Sequence, residues 1–245
     1  MAIGFPTMAE RPDLRVPARE LMSMWPDFMH QDPVANVFFG RVRDEHAELQ
    51  FFAWDDELEQ VLAEGDAVPT AWDGDPETLP SGGLDAVLEA SFAEGAPTPN
   101  TLCALQIVIS SEHQGRGLSR RMIERMAELG RLGGFDALIA PVRPSWKQRY
   151  PLVDIERYVR WRRPDGTHFD PWLRTHERLG GEILKVAPRS MVVPGTVAQW
   201  EEWAQMAFPE TGTYVVPGAL VPIEVEVETD RALYVEPNVW MHHRL

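Results

Sequence analysis

The sequence predicts an α/β fold: a mixed twisted sheet flanked by helices, with a β-rich C-terminal extension. Three observations carry this prediction. Residues 102–109 form an apolar run with the length of a buried strand. A glycine-containing turn follows, and Leu118, Met122, Met126 and Leu129 then fall on one face of a helix. Gly133-Gly134-Phe135 ends that helix, and a second apolar run at residues 137–142 reads as another strand. Strand, turn, helix and strand in this order make a parallel crossover.

The elements can be justified in chain order. Residues 10–46 read as helical, with Val16-Pro17 as one start and Asp32-Pro33 as the next; the second carries Val34, Val37, Phe38 and Val42. Residues 49–54 read as a strand and 58–72 as its hairpin partner, interrupted near Glu64-Gly65. Residues 75–83 are rich in turn formers, and 84–92 have helical periodicity. After the crossover, residues 143–169 form an aromatic and basic insertion, with a short helix over 154–162 and a Pro164-Asp165-Gly166 turn. Asp170-Pro171 opens a helix that Gly180-Gly181 stops. A strand over 182–193 and a helix over 196–206 follow, then strands at 214–216, 220–227 and 232–239. The expected organisation is one domain over 1–245: a helical N-terminal region (1–46), a core (47–193) with the insertion, and the extension (194–245).

Composition narrows the function. The chain has 245 residues, enough for one well-filled core. It has no apolar run of membrane-spanning length, and the start Met1-Ala2-Ile3-Gly4-Phe5-Pro6 lacks signal-peptide order. The lone Cys103 excludes an internal disulfide and a cysteine-based zinc site, and no histidine and carboxylate cluster has ligand spacing, so no metal is expected. A soluble, reducing, cytoplasmic setting is the expectation. The net charge of −15 argues against nucleic acid and anionic membranes as partners. Its distribution is informative. Residues 1–110 carry five basic and twenty acidic side chains, 111–189 sixteen and ten, and 190–245 two and eight. The one net-positive third begins at the glycine turn, where a polyanionic ligand would need it.

That turn reads Gln114-Gly115-Arg116-Gly117-Leu118-Ser119-Arg120-Arg121. Backbone N–H groups left unpaired at a helix start, with the dipole behind them, make an anion site. No Gly-Lys-Ser/Thr ending is present, and Arg120 stands where a dinucleotide fingerprint needs its third glycine. A phosphate cradle of another kind is left. The loop resembles the Gln/Arg-x-x-Gly-x-Gly/Ala motif of the GCN5-related N-acetyltransferase superfamily, with Ser119 in the last small position. The resemblance implies that Ile107, Ile109, Gln114, Gly115, Arg116, Gly117, Leu118, Ser119 and Arg120 hold coenzyme A. It implies acetyl-CoA or another acyl-CoA as donor, or an acyl-phosphopantetheine on an acyl carrier protein. The acceptor would be a small-molecule amine, enclosed by the insertion and the extension. The alternative is a catalytically silent acyl-CoA binder or sensor. The oligomeric state, homodimer included, stays open.

Many members of that family carry Tyr-x-x-x-Gly-Phe on the helix after the insertion, its tyrosine near the thioester sulfur. In this frame His176 falls on the tyrosine and Gly181 on the phenylalanine. His176 would donate a proton to sulfur or act as base, and a titration near neutrality is expected of an imidazole; the plain alternative is a residue completing a helix face. The central strand has Cys103 and Gln106 but no carboxylate, which leaves the base unassigned and Cys103 as a second, acyl-accepting candidate. Core filling is the plain reading of that cysteine. Arg143, Trp146, Lys147 and Trp172 are the substrate-binding candidates, with Arg149 as a further cation and Trp161 as a further pocket aromatic. The insertion is either a lid or a surface excursion.

Overall fold

The computed structural model describes residues 3–245. Strand β1 (Ile3–Gly4) lies against the next strand in sequence. The expected helical stretch after it divides in two. Residues 12–31 form three 3-10 turns, Pro12–Arg15, Pro17–Met24 and Asp27–Gln31. Prolines at 12, 17 and 26 remove N–H donors, and the residues before two of them, Arg11 and Trp25, leave the helical region, so no continuous α-helix forms. Only α1 (Pro33–Glu45) is a regular helix here, capped by Asp32, whose Oδ1 accepts from the Ala35 N–H at 2.8 Å.

Strands β2 (Phe51–Asp55) and β3 (Gln60–Thr70) form the hairpin. The expected interruption at Glu64-Gly65 is absent, because Gly65 serves packing: a Cβ there would stand 2.6 Å from the Phe51 ring. Helix α2 (Gly83–Ser91) leads to β4 (Thr101–Ile109), α3 (Leu118–Leu132) and β5 (Ala137–Val142), and β4 and β5 are parallel. Leu118, Met122, Met126 and Leu129 of α3 pack on one face of the sheet, against Phe51, Ala63 and Leu102. Val42 of α1 and Leu84, Val87 and Leu88 of α2 pack on the other, against Val68, Cys103 and Ile139. Both faces are therefore covered, as the continuous apolar runs of β4 and β5 require.

The insertion 143–169 holds a 3-10 turn, Lys147–Arg149, and one α-helical turn, α4 (Ile155–Tyr158), shorter than its periodicity suggests. Its Tyr150, Tyr158, Trp161 and Phe169 rings pack on one another with centroids 5.1–6.2 Å apart, a satellite core of its own. Helix α5 (Pro171–Arg178) and strand β6 (Glu182–Gly195) follow. Then come α6 (Val197–Ala204), β7 (Gly212–Tyr214), β8 (Ile223–Glu226) and β9 (Arg231–Arg244). The C-terminal strand is not an outer addition. One edge of β9 pairs with β6 along its length; the other pairs with β5 near its end and with β8 near its start. The extra residues of the tail are those looped between β6 and β9.

Two buried carboxyls clamp the start of α1 to α2 and β6. Asp32 Oδ2 and Asp85 Oδ1 lack donors, while Asp85 Oδ2 accepts from the Val192 N–H at 3.1 Å. Burial first, and the charge of Asp32 second, push Asp85 up to about 8; burial also raises Asp32. One carboxyl thus keeps its proton and donates to the other. Folding takes up that proton above the ordinary carboxylate range, so this contribution to stability is lost as pH rises from about 4 toward 8. Asp85→Asn copies the protonated form. Urea unfolding should show its stability falling less steeply over this interval, by up to about 1.4 kcal/mol per pH unit; an unchanged slope would contradict the shared proton.

Candidate active site

Strands β4 and β5 pair over only three positions, Thr101↔Ala137, Leu102↔Leu138 and Cys103↔Ile139. The cause lies on the other side of β4. Asp66 of β3 faces Gln106 and Ala67 faces Ala104, so Leu105 is an extra residue, a β-bulge. A bulge bends its strand, and here it turns β4 away from β5. Pro141, with no N–H to leave unpaired, stands just beyond the parting. The wedge that opens is a cavity of about 830 Å³, walled by residues 104–109 of β4 and 140–142 of β5.

One end of the cavity meets the glycine turn, through Gln114, Gly115 and Ser119. Gly115 and Gly117 have φ of 73° and 80°, the left-handed region that favours glycine. Gly117 is the N-cap of α3 and offers no side chain to its first amides, while Gln114 Nε2 ties the loop to the Ile109 carbonyl at 3.1 Å. The uncapped first turn has the two parts that an anion site needs, amides without a side-chain cap and a fifteen-residue helix dipole. Of the nearby arginines, Arg116 is exposed and Arg120 pairs with Glu124 at 2.8 Å. Arg121 bonds the Ile3 carbonyl and lies over the Phe5 ring.

The other end is built on Asp170, the fully buried N-cap of α5. Its carboxylate accepts from the N–H groups of Ser145, Trp146, Trp172 and Leu173 and from the Tyr158 hydroxyl. One side chain therefore joins the start of the insertion, its α4 turn and α5. That placement brings Trp146, Trp172 and His176 into the cavity wall. His176 is buried; its Nδ1 lies 2.9 Å from His243 Nε2, and the Trp172 ring packs edge-on at 4.6 Å. Its Nε2 has no protein partner. Burial first, and His243 second, lower His176 to about 3, so the ring is neutral at physiological pH. The expected titration near neutrality is thereby corrected.

The remaining candidates separate. Lys147 is fully buried and outside the cavity wall; its ammonium donates to the Tyr150 and Leu220 carbonyls at 2.9 and 2.6 Å, and burial lowers it to about 8. It ties the insertion to the 218–220 loop and is not available to substrate. Arg143 does line the cavity, but its charge is met by Glu236 at 2.9 Å, and it donates to the Gly218 carbonyl. Arg149 stacks on Trp146 at 4.7 Å and makes no ion pair among the described residues. Trp161 packs inside the insertion and is absent from the cavity wall. Cys103 is buried beneath the sheet, where burial pushes its thiol up strongly, so the nucleophile reading fails. The central strand's missing carboxylate has a neighbour instead. Gln106 Nε2 donates to Asp66 on β3 at 2.5 Å, and Arg43 of α1 bridges Asp66 and Glu64. Sequence reasoning missed that trio, because alternation along β3 gives no hint that acids at 64 and 66 turn inward.

A parallel pair parted by a bulge, with an uncapped glycine turn at one end of the cavity, fits the class of acetyl-coenzyme A-dependent transferases that the loop sequence resembles. The chain belongs to the GCN5-related N-acetyltransferase superfamily and is an acyl-CoA-dependent N-acyltransferase. It is 33% identical over 269 aligned residues to the arginine N-acetyltransferase avaD of Aspergillus versicolor, covering 97% of this chain and 92% of that relative. No family model matches the chain. Its fold is similar to the loading GNATL domain of CurA from Lyngbya majuscula, with a TM-score of 0.63, 15% identity, and 100% and 98% of the two chains covered. It is also similar to the GphF GNAT-like decarboxylase in complex with isobutyryl-CoA, with a TM-score of 0.50, 16% identity, and 83% and 82% covered.

The neutral His176 has a thermodynamic signature. Its pKa is lower folded than unfolded, so the unfolded chain binds a proton that the folded chain refuses. Stability is therefore lost as pH falls from about 6.5 toward 3. In imidazole NMR spectra His176 should not titrate between pH 5 and 8. An inflection in that interval assigned to His176 would contradict the burial argument.

Proposed function

We propose that the protein transfers the acyl group of a CoA thioester to an amine of a small amino acid of the arginine class. The observation that carries the proposal is the continuity of one cavity from the glycine turn, along the free edge of β4, to His176. The turn's amides take the pyrophosphate. The pantetheine arm, which has two amides of its own, completes the unpaired edge of β4 beside Ile107 and Ile109. The thioester then reaches the parting of the strands. A carrier-borne phosphopantetheine would use the slot without the full phosphate cradle, so the cradle favours free CoA.

The amine enters as the free base and its lone pair attacks the thioester carbonyl carbon. As the N–C bond forms, the π pair moves onto oxygen; its return breaks the C–S bond and expels the thiolate. His176, with Nδ1–H turned to His243, presents a lone pair on Nε2. It takes the excess proton from nitrogen and passes it to sulfur, so that amide and thiol are the only products. Charge developing on oxygen and sulfur raises the imidazole's proton affinity at that moment, offsetting the effect of burial. The arginine class is supported by the avaD relative and by Arg149 on the cavity wall, a cation placed to meet the carboxylate of an amino acid.

Two measurements test this. His176→Gln should lower kcat by about 10²–10⁴ with little change in the KM of acetyl-CoA. A normal kcat would remove His176 from the chemistry, and CoA binding with no turnover on any amine would leave a sensor. Gly117→Val should weaken CoA at least about tenfold in calorimetry, through a strained left-handed residue that misplaces the cradle. That strain costs about 1–3 kcal/mol of folding, so melting is measured alongside. Undiminished affinity in the folded variant would overturn the phosphate site.

A further inference from the structure

We infer that His243 is a positioning residue for the acyl transfer, and that glycine at 181 is there to admit its ring. The inference rests on the catalytic reading of His176. His243 stands 67 residues away in sequence, on the last strand, where its backbone pairs with Leu138 of β5. Its neighbour His242 turns to the opposite face and packs on Trp72. The His243 ring passes beneath α5 and meets His176 Nδ1 at 2.9 Å. The space it crosses is the space of a side chain at 181. A Cβ there would lie 2.7 Å from His243 Cε1, 2.8 Å from its Nε2 and 2.8 Å from the His176 carbonyl oxygen. The histidine at 176, the glycine at 181 and His243 therefore form one packed unit.

The chemistry assigns the role. A neutral imidazole has one N–H and one lone pair, and whichever nitrogen holds the proton is set by what the other meets. His243 Nε2, as acceptor, keeps the His176 proton on Nδ1 and leaves on Nε2 a lone pair that no protein donor meets, on a residue of the cavity wall. Trp172 closes on the same ring from another direction, so its tilt is fixed as well. His243 itself is absent from the cavity wall, so it acts through His176 alone.

A double-mutant cycle on the full chain, read as kcat and KM for acetyl-CoA and arginine, tests this. His243→Leu should lower kcat about tenfold to a hundredfold, as small misplacement of a reacting group does, with both KM values within about twofold. His243→Gln, which keeps an acceptor near the Nε2 position, should recover most of the loss. Gly181→Ala should reproduce the Leu defect by displacing the ring. In the His176→Gln background, His243→Leu should cost nothing further. A normal kcat in His176→Gln would overturn the catalytic reading and this inference with it. A lowered kcat in His176→Gln beside a normal kcat in His243→Leu, or losses that multiply in the double variant, would overturn the role of His243 alone. Should the Leu variant not fold, the Gln and Ala variants decide: equal kcat in both refutes the positioning role.

Discussion

The parting of β4 from β5 is the constraint on which the rest of this structure depends. Two parallel strands buried on both faces normally stay paired, because each unpaired N–H or C=O in a dry interior costs a hydrogen bond. Here one extra residue, Leu105, bends β4 after three ladder positions and exposes its edge. A polar edge inside the core persists only if something else satisfies it. The wedge therefore defines both a cavity and the kind of molecule suited to it, an extended chain carrying amides.

The other elements serve that wedge. On one flank the helix after β4 begins without a side-chain cap, so its amides remain open. On the other, Asp170 gathers five donors and draws the insertion and α5 together around the far end. The gap on β9 between its β5 and β8 pairings is filled by Glu236, held by Arg143, Tyr234 and Asn238. Arg143 and Lys147 then grip the carbonyls at 218 and 220, which locks the loop of the tail against the insertion. The insertion is thus both scaffold and wall: its aromatic core stabilises, while Trp146 and Arg149 face the cavity.

What could be read from the chain follows from range. The glycine turn and the α3 face are local patterns, and both stand where the sequence put them. The Asp170-Pro171 cap and the Gly180-Gly181 stop are local too, and they bounded α5 correctly. The bulge at Leu105 has no glycine or proline to announce it; it arises from the register of β3 against β4. The meeting of His243 with His176 was not legible, since 67 residues separate them. The same limit hid the Arg43, Glu64 and Asp66 trio. Lys147 misled for a physical reason: a lone lysine in a basic segment reads as a free cation, yet it is buried and its ammonium is held by two backbone carbonyls.

Hydrogen exchange on the amides of residues 104–109, with and without saturating acetyl-CoA, tests most directly whether the ligand completes the β4 edge. The account predicts that alternate amides, those turned toward β5, gain protection when the ligand binds, while those bonded to β3 are slow throughout. Binding that protects only the glycine turn and leaves every β4 amide unchanged would contradict it.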